Sequence, residues 1–120
     1  MIEGKKQRME CRNVCTFDGR VVRIGKVRQF RDRRCKLTSI CRYVLEVPRP
    51  QHGYDHILCT AFGNRAWYAK HHITKGMWLT VVGHLYSEVS LENSYMTSLT
   101  VHYQKIKKGD KSNEKMETET

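Results

Sequence analysis

The stretch from residue 54 to residue 86 constrains the fold of this 120-residue chain more than any other part of its sequence. Apolar and polar residues alternate up to Gly63 and again beyond Gly76, and this alternation predicts two strands. Between them Ala66 and Ala69 fall at helical spacing, which predicts a short helix. The centre of the chain is therefore predicted to run strand, helix, strand.

Three further strands are predicted from the same alternation, at residues 11–24, 38–47 and 95–106. Gly19 interrupts the first of them, and a glycine inside a strand marks a bulge or bend, as a small barrel requires. Five strands with one helix between strands 3 and 4 is the order of the OB fold. The predicted fold class is accordingly all-β, a five-stranded Greek-key barrel with one short helix.

The alternation also predicts which side chains face the core. On strand 3, Phe62 shares the parity of His56 and is opposite to Cys59, so Phe62 is predicted to lie on the outer face. On strand 5, Tyr103 shares the parity of Leu99, so Tyr103 is predicted to be buried.

The positive charge is concentrated in the first part of the chain. The net charge is +10, and residues 1–49 hold 14 Lys and Arg against 5 Asp and Glu. Residues 25–37 carry six of these cations and one acid without periodicity, which predicts a loop or hairpin tip that projects charge. Such a surface favours a polyanion as partner, and the alternative is a solvated face that aids solubility.

The two ends of the chain differ in character from its middle. We expect residues 1–10 to form a basic flexible arm, residues 11–106 a single domain, and residues 107–120 a disordered polar tail. No apolar run is long enough for a membrane span, and the first residues lack a signal-peptide core. We therefore expect a cytoplasmic protein that does not contact a membrane.

Metal, cofactor and catalytic patterns are weak in this sequence. Cys11 and Cys15 do not have the spacing of a zinc knuckle, and five cysteines do not suit a disulfide framework. His71 and His72 are adjacent and so cannot form the i, i+4 pair that binds a metal on a helix. Cys59 is predicted to point inward, which does not suit a nucleophile. We predict no metal, no cofactor and no enzymatic activity.

Six short motifs stand in the order found in the bacterial single-stranded-DNA-binding protein family. They are Asn13-Val14, Gly19-Arg20-Val21, Tyr43-Val44-Leu45, Ala61-Phe62-Gly63, Lys75-Gly76 and Gly83-His84-Leu85. Over about residues 12–106 the chain resembles that family. Members of the family have the OB fold, which agrees with the strand order predicted above. The second strand is also similar to that of the shorter primosomal replication protein N group. The sequence is equally compatible with a variant encoded on a mobile element.

The resemblance implies that bases stack on aromatic side chains while cations follow the phosphates. By that resemblance Phe62 occupies a stacking position, and His56 stands where relatives usually place a tryptophan. Two other stacking positions are not matched, at Gln51-His52 and at Ser90. The nucleic-acid-binding residues predicted from the resemblance, the charge and the exposed aromatics are Arg28, Arg31, Arg33, Arg34, Lys36, Arg42, Arg49, Tyr54, His56, Phe62, Trp78 and Tyr86.

The resemblance further implies a homo-oligomer, a dimer or tetramer, that coats single-stranded DNA without sequence preference. It would act in DNA replication, repair or mobile-element transfer, in the cytoplasm of a bacterium and at its nucleoid. Two alternatives stay open: an adaptor of the primosomal type that binds replication proteins, and an RNA-binding OB protein. Trp78 is assigned either to the binding face or to a subunit interface.

Overall fold

A computed structural model describes residues 12–89, 91–92 and 94–107 of the chain, with Tyr95 described by its backbone alone. The predicted arm, and the predicted tail apart from Lys107, lie outside these residues. The secondary-structure elements are β1 (Cys15–Ile24), β2 (Arg28–Arg31), β3 (Leu37–Pro48), β4 (Tyr54–Phe62), α1 (Asn64–His72), β5 (Trp78–Val89) and β6 (Tyr95–Ile106). The all-β prediction is confirmed, with the helix in the predicted place. The short β2 is a sixth strand, inside the segment predicted to be a loop or hairpin tip.

The strands form one sheet in the order β1-β5-β6-β4-β3-β2, which closes into a barrel because β1 also pairs with β3. The first half of β1, up to Arg20, pairs with β5, and its second half pairs with β3. Gly19 lies at this division, where a Cβ atom would be 2.8 Å from the carbonyl oxygen of Glu46. The predicted bend at Gly19 is thus the place where one strand serves two neighbours.

The core fills the inside of this barrel and one of its ends. Helix α1 covers that end through Ala66 and Ala69, and Ile73 follows directly after the helix. Cys59 is fully buried, and burial raises the pKa of its thiol to about 12, so the thiol stays protonated and unreactive. The buried hydrophobic residues are Val21, Cys41, Tyr43, Leu45, Cys59, Ala61, Ala66, Ala69, Ile73, Leu79, Val81, Leu99 and Val101.

A bulge in β6 reverses the alternation that the sequence predicts there. Val82 of β5 pairs with Tyr103, but the next residue, Gly83, pairs with Val101, so His102 is an extra residue in β6. Beyond the bulge the parity changes, and Tyr103 is 49% exposed. The prediction that Tyr103 is buried was wrong for this reason.

Gln104 follows the bulge and its side chain reaches into the barrel. The hydroxyl of the buried Tyr43 donates a 2.6 Å hydrogen bond to Oε1 of Gln104. The amide nitrogen of Gln104 donates in turn to the carbonyl oxygen of Arg65 at 2.8 Å. One side chain therefore joins β3, β6 and the helix.

We expect Tyr43→Phe to lower the free energy of unfolding by about 1–2 kcal/mol, because Oε1 of Gln104 loses its donor in a largely buried place. Urea denaturation followed by circular dichroism measures the change. Tyr103→Phe removes a hydroxyl from an exposed ring and should leave stability within about 0.5 kcal/mol of the native value. Equal effects of the two substitutions would contradict a role for the Tyr43 hydroxyl.

Candidate nucleic-acid interface

A groove with a volume of about 870 Å³ crosses the outer face of the sheet. Five of the six strands, β2 to β6, contribute residues to it. The residues that line it are Arg28, Gln29, Phe30, Ile40, Arg42, Leu58, Thr60, Phe62, His84, Tyr86, Glu88, Met96, Thr97, Ser98 and Thr100. The groove is therefore a product of the whole sheet and of no single loop.

The floor of the groove lies where β4 and β6 run side by side. Thr60 and Thr100 are paired there in a parallel register, and Arg42 of β3 lies opposite Thr60 on the other side. Thr60 is buried at this floor, whereas Phe62 at the end of β4 is half-buried and faces the groove. The prediction that Phe62 lies on the outer face agrees with this position.

Aromatic rings stand on both sides of the floor. Phe30 of β2 meets Phe62 edge to face, with ring centroids 6.2 Å apart and an angle of 65° between the ring planes. On the β5 side Tyr86 is 51% exposed, with Met96 beside it on the groove wall. Flat, solvent-accessible rings of this kind are what an unpaired base needs for stacking.

The groove holds two guanidinium groups whose charge is not neutralised by any acidic group that the structure describes. Among the described residues the ion pairs occur elsewhere, so that neither Arg28 nor Arg42 has a carboxylate within 4.0 Å. In the described part of the chain, Glu88 is the one acidic residue that lines the groove. The groove is consequently open to an anion, and a guanidinium group can both contact phosphate and stack on a base.

Four other predicted residues, Arg31, Arg33, Arg34 and Lys36, lie at the end of the β2–β3 hairpin and not in the groove. This hairpin tip is built by Asp32, whose carboxylate accepts hydrogen bonds from the backbone N–H groups of Arg34 and Lys36 at 2.8 and 2.9 Å. Since the one acid of the tip is used on the backbone, its cationic side chains keep their charge at the surface.

Three predicted residues, Arg49, Tyr54 and His56, lie around the turn between β3 and β4, outside the groove. Arg49 forms an ion pair with Asp55 at 2.9 Å, and this hydrogen-bonded guanidinium lowers the pKa of the Asp55 carboxyl. The ring of His56 lies 3.4 Å from a carboxylate oxygen of the neighbouring strand. Two of these three side chains therefore already have acidic partners.

The acidic partner of His56 is Glu46, which also accepts a 2.8 Å hydrogen bond from Arg20. That hydrogen bond is the main reason why the pKa of Glu46 is lowered. Trp78 begins β5 opposite Arg20 of β1, half-buried and outside the groove. This side of the barrel combines matched charges with an indole ring.

Of the twelve predicted residues, the structure brings four together in the groove: Arg28, Arg42, Phe62 and Tyr86. Phe30 and Met96 also line the groove and were not predicted. A signal for Phe30 was present, because Phe30 is the one aromatic residue in the basic segment 25–37. No comparable signal marks Met96, whose position depends on how β6 pairs with β5.

The described part of the chain contains neither a cluster of metal ligands nor a membrane-spanning helix. There, no three side chains among His, Cys, Asp and Glu come close enough to hold a metal ion. No helix in the same residues has the length and apolar character needed to cross a membrane.

Comparison with solved structures shows the OB fold of single-stranded-DNA-binding and PriB proteins. The N-terminal domain of PriB from Thermoanaerobacter tencongensis, a dimeric structure, is 18% identical with a TM-score of 0.58, covering 79% of this chain and 96% of that one. The second single-stranded-DNA-binding protein of Mycobacterium smegmatis is 15% identical with a TM-score of 0.62, covering 83% and 93%.

The wild-type single-stranded-DNA-binding protein of Thermus aquaticus is 17% identical with a TM-score of 0.61, and the match covers 83% of this chain but only 42% of that one. No protein-family model matches the sequence, and no curated protein matches it significantly. The resemblance inferred from the six motifs is thus confirmed at the level of the fold.

Proposed function

We propose that this protein binds single-stranded DNA without reading its sequence. The observation that carries the proposal is the groove, in which aromatic rings on both sides of the floor accompany two arginines that have no acidic partner among the described residues. Stacking contributes about 1–3 kcal/mol per base and accepts any base, because every base has a π face. Phosphate contacts supply the remaining, salt-dependent part of the affinity.

The position of the rings favours a single strand over a duplex. Phe62 lies beside the floor of the groove, where a base must leave its own stack to reach it. In a duplex the faces of the bases are covered by their neighbours, so that only the phosphates remain accessible to such a surface. We infer that a duplex would be bound by the cations alone and therefore only weakly.

The wider role follows from the ligand. We propose that the protein is a homo-oligomer that protects exposed strands during DNA replication, repair or the transfer of a mobile element, in the bacterial cytoplasm and at the nucleoid. In keeping with this role, one structural neighbour is described as dimeric and others as single-stranded-DNA-binding proteins. We propose binding without catalysis, by a domain of residues 11–106 between a basic arm and a polar tail.

The direct test is a fluorescence-anisotropy titration with labelled oligo-dT and with a duplex of equal length, repeated at several salt concentrations. We expect tighter binding to oligo-dT, with log K falling against log salt at a slope of about −0.7 for each phosphate contact. Equal affinity for the two DNAs at every salt concentration would contradict the proposal.

A second candidate function is that of a primosomal adaptor, favoured by the match to nearly the whole PriB domain. An adaptor would bind replication proteins first and DNA second. The two functions are distinguished by Phe62→Ala and by the double substitution Arg33→Ala with Arg34→Ala. A DNA-binding protein would lose activity in a replication assay in step with its DNA affinity. An adaptor would keep its activity in that assay. Competition between oligo-dT and oligo-U tests RNA binding in the same assay.

We expect Glu88→Gln to strengthen binding to oligo-dT about two- to fivefold at low salt, because it removes the one negative charge that the described part of the chain places on the groove lining. The gain should shrink as salt rises, since salt screens charges at the surface. Titrations of the native and variant proteins at two salt concentrations measure it. Weaker binding by the variant would instead mean that the carboxylate contacts a base.

A further inference from the structure

The position of Phe30 sets it apart from the other residues that line the groove. It belongs to β2, a strand of four residues that are all exposed and that, among the described strands, pair with β3 alone. Phe30 itself remains 38% exposed, yet its ring extends from this edge strand to the ring of Phe62. The contact joins the outermost hairpin of the sheet to the end of β4.

We propose that Phe30 and Phe62 together form a subsite for a single nucleobase, held between the two rings. This inference rests on the proposed function and adds to it a defined place for one base. The rings are now 6.2 Å apart and inclined at 65°. A base between two parallel rings needs about 6.8 Å, twice the stacking distance of about 3.4 Å between successive nucleotides. Rotation of the rings and an outward shift of less than about 1 Å make the space.

The hairpin is built in a way that permits this movement. Because β3 is the one strand that pairs with β2 in the described part of the chain, a small displacement of Phe30 breaks no second ladder of hydrogen bonds there. The turn itself is held together by Asp32, which accepts hydrogen bonds from the N–H groups of Arg34 and Lys36, and a displacement of β2 breaks neither of these bonds. The edge-to-face contact of the free protein fills the subsite until a base enters.

The positive charges of the hairpin tip would draw the tip toward bound DNA. Arg33 and Arg34 have no carboxylate partner among the residues that the structure describes. Phe62 is paired with Ile40 of β3, the strand that leads away from this tip, so the proposed subsite places the phosphates that flank its base on the same side of the groove as the tip. Attraction between those phosphates and the two guanidinium groups draws Phe30 over the base. The rings and the tip thus act on neighbouring parts of one nucleotide.

A double-mutant cycle with Phe30→Leu and Phe62→Leu tests the subsite, since leucine keeps an apolar side chain and removes the π face. We expect each single variant to bind oligo-dT about 5- to 150-fold more weakly than the native protein does. The double variant should bind only a little more weakly than the weaker-binding of the two single variants. Losses that multiply in the double variant would mean two independent stacking positions and would overturn the proposal.

An oligonucleotide of the same length made of abasic residues distinguishes base contact from a change of structure. Its phosphates are unchanged, so Phe30→Leu should bind it as the native protein does. A loss as large as that on oligo-dT would overturn the proposal, because it would place the effect of Phe30 in the hairpin's own structure. Leu37→Ala serves as control: Leu37 is an exposed apolar residue of the same hairpin that does not line the groove, and we expect at most a twofold change.

Failure of the proposed function has a separate signature. A native protein that does not bind oligo-dT at all would remove the single-strand proposal. A native protein that binds oligo-dT, with Phe30→Leu binding equally well, would remove only the subsite.

Discussion

Gly83→Ala should lower the free energy of unfolding by about 3 kcal/mol or more, the largest effect that we expect of any single methyl group in this chain. Gly83 is buried in β5 at the point where β6 carries its bulge. A Cβ atom there would overlap the carbonyl oxygen of Thr100 and lie 3.1 Å from a carbon of Leu99. The obstacle is backbone, so no side-chain rotation relieves it. The two strands must separate, and the ladder between them is the longest in the sheet.

Urea denaturation of native and variant protein measures this loss. Gly25→Ala is the matched control, because a Cβ atom at Gly25 would lie 3.4 Å from the nearest atom, the carbonyl oxygen of Arg42. We expect the control to change stability by less than about 1 kcal/mol. A Gly83→Ala protein as stable as the Gly25→Ala protein would show that β5 and β6 do not approach each other as closely as described.

The second large effect concerns binding. Replacing Arg28 and Arg42 together by glutamine should weaken binding to oligo-dT about 25-fold at about 0.1 M salt, and reduce the salt slope by about 1.4. Both numbers follow from two lost phosphate contacts at about 0.7 each. These two arginines line the groove without an acidic partner among the described residues, so their full charge is available to the DNA.

A pair of substitutions elsewhere provides the control for net charge. Lys70→Gln with Lys75→Gln removes the same two charges from exposed positions on the helix and in the loop that follows it, outside the groove. We expect this control to lose no more than about threefold, because neither charge lines the groove and salt screens charges at the surface. If the control weakens binding as much as the groove variant, attraction by net charge and not the groove accounts for the affinity.

The order of the elements could be predicted because alternation and glycines are local properties of a sequence. The last strand, residues 95–106, was predicted with the bounds it has in the structure. The side on which Tyr103 lies could not be predicted, since the extra residue at His102 is a property of the pairing of β5 with β6. Segment 25–37 was predicted to project charge. The contact of Phe30 with Phe62 could not be predicted, because it depends on the register of β2 against β3.

The residues predicted to bind nucleic acid show the same limit. Sequence can count the cations, but it does not show which of them find acids in the folded chain. Arg49 meets Asp55 across a turn, and His56 meets Glu46 because the two are directly paired between β4 and β3. Arg42, on the same strand as Glu46, has no such neighbour among the described residues. Pairing across strands therefore decides which cationic side chains form ion pairs within the structure and which remain available to a ligand.

The parallel contact between β4 and β6 bears on the order in which the protein acquires its activity. Thr60 and Thr100 join strands that lie far apart along the chain, and such contacts carry a higher entropic cost of loop closure than the neighbouring hairpins do. Because the same two residues are the floor of the groove, a chain with both hairpins formed but this seam still open has nowhere to seat a strand of DNA. Under the proposed function, competence to bind DNA is therefore expected to develop late in folding, after this seam has closed.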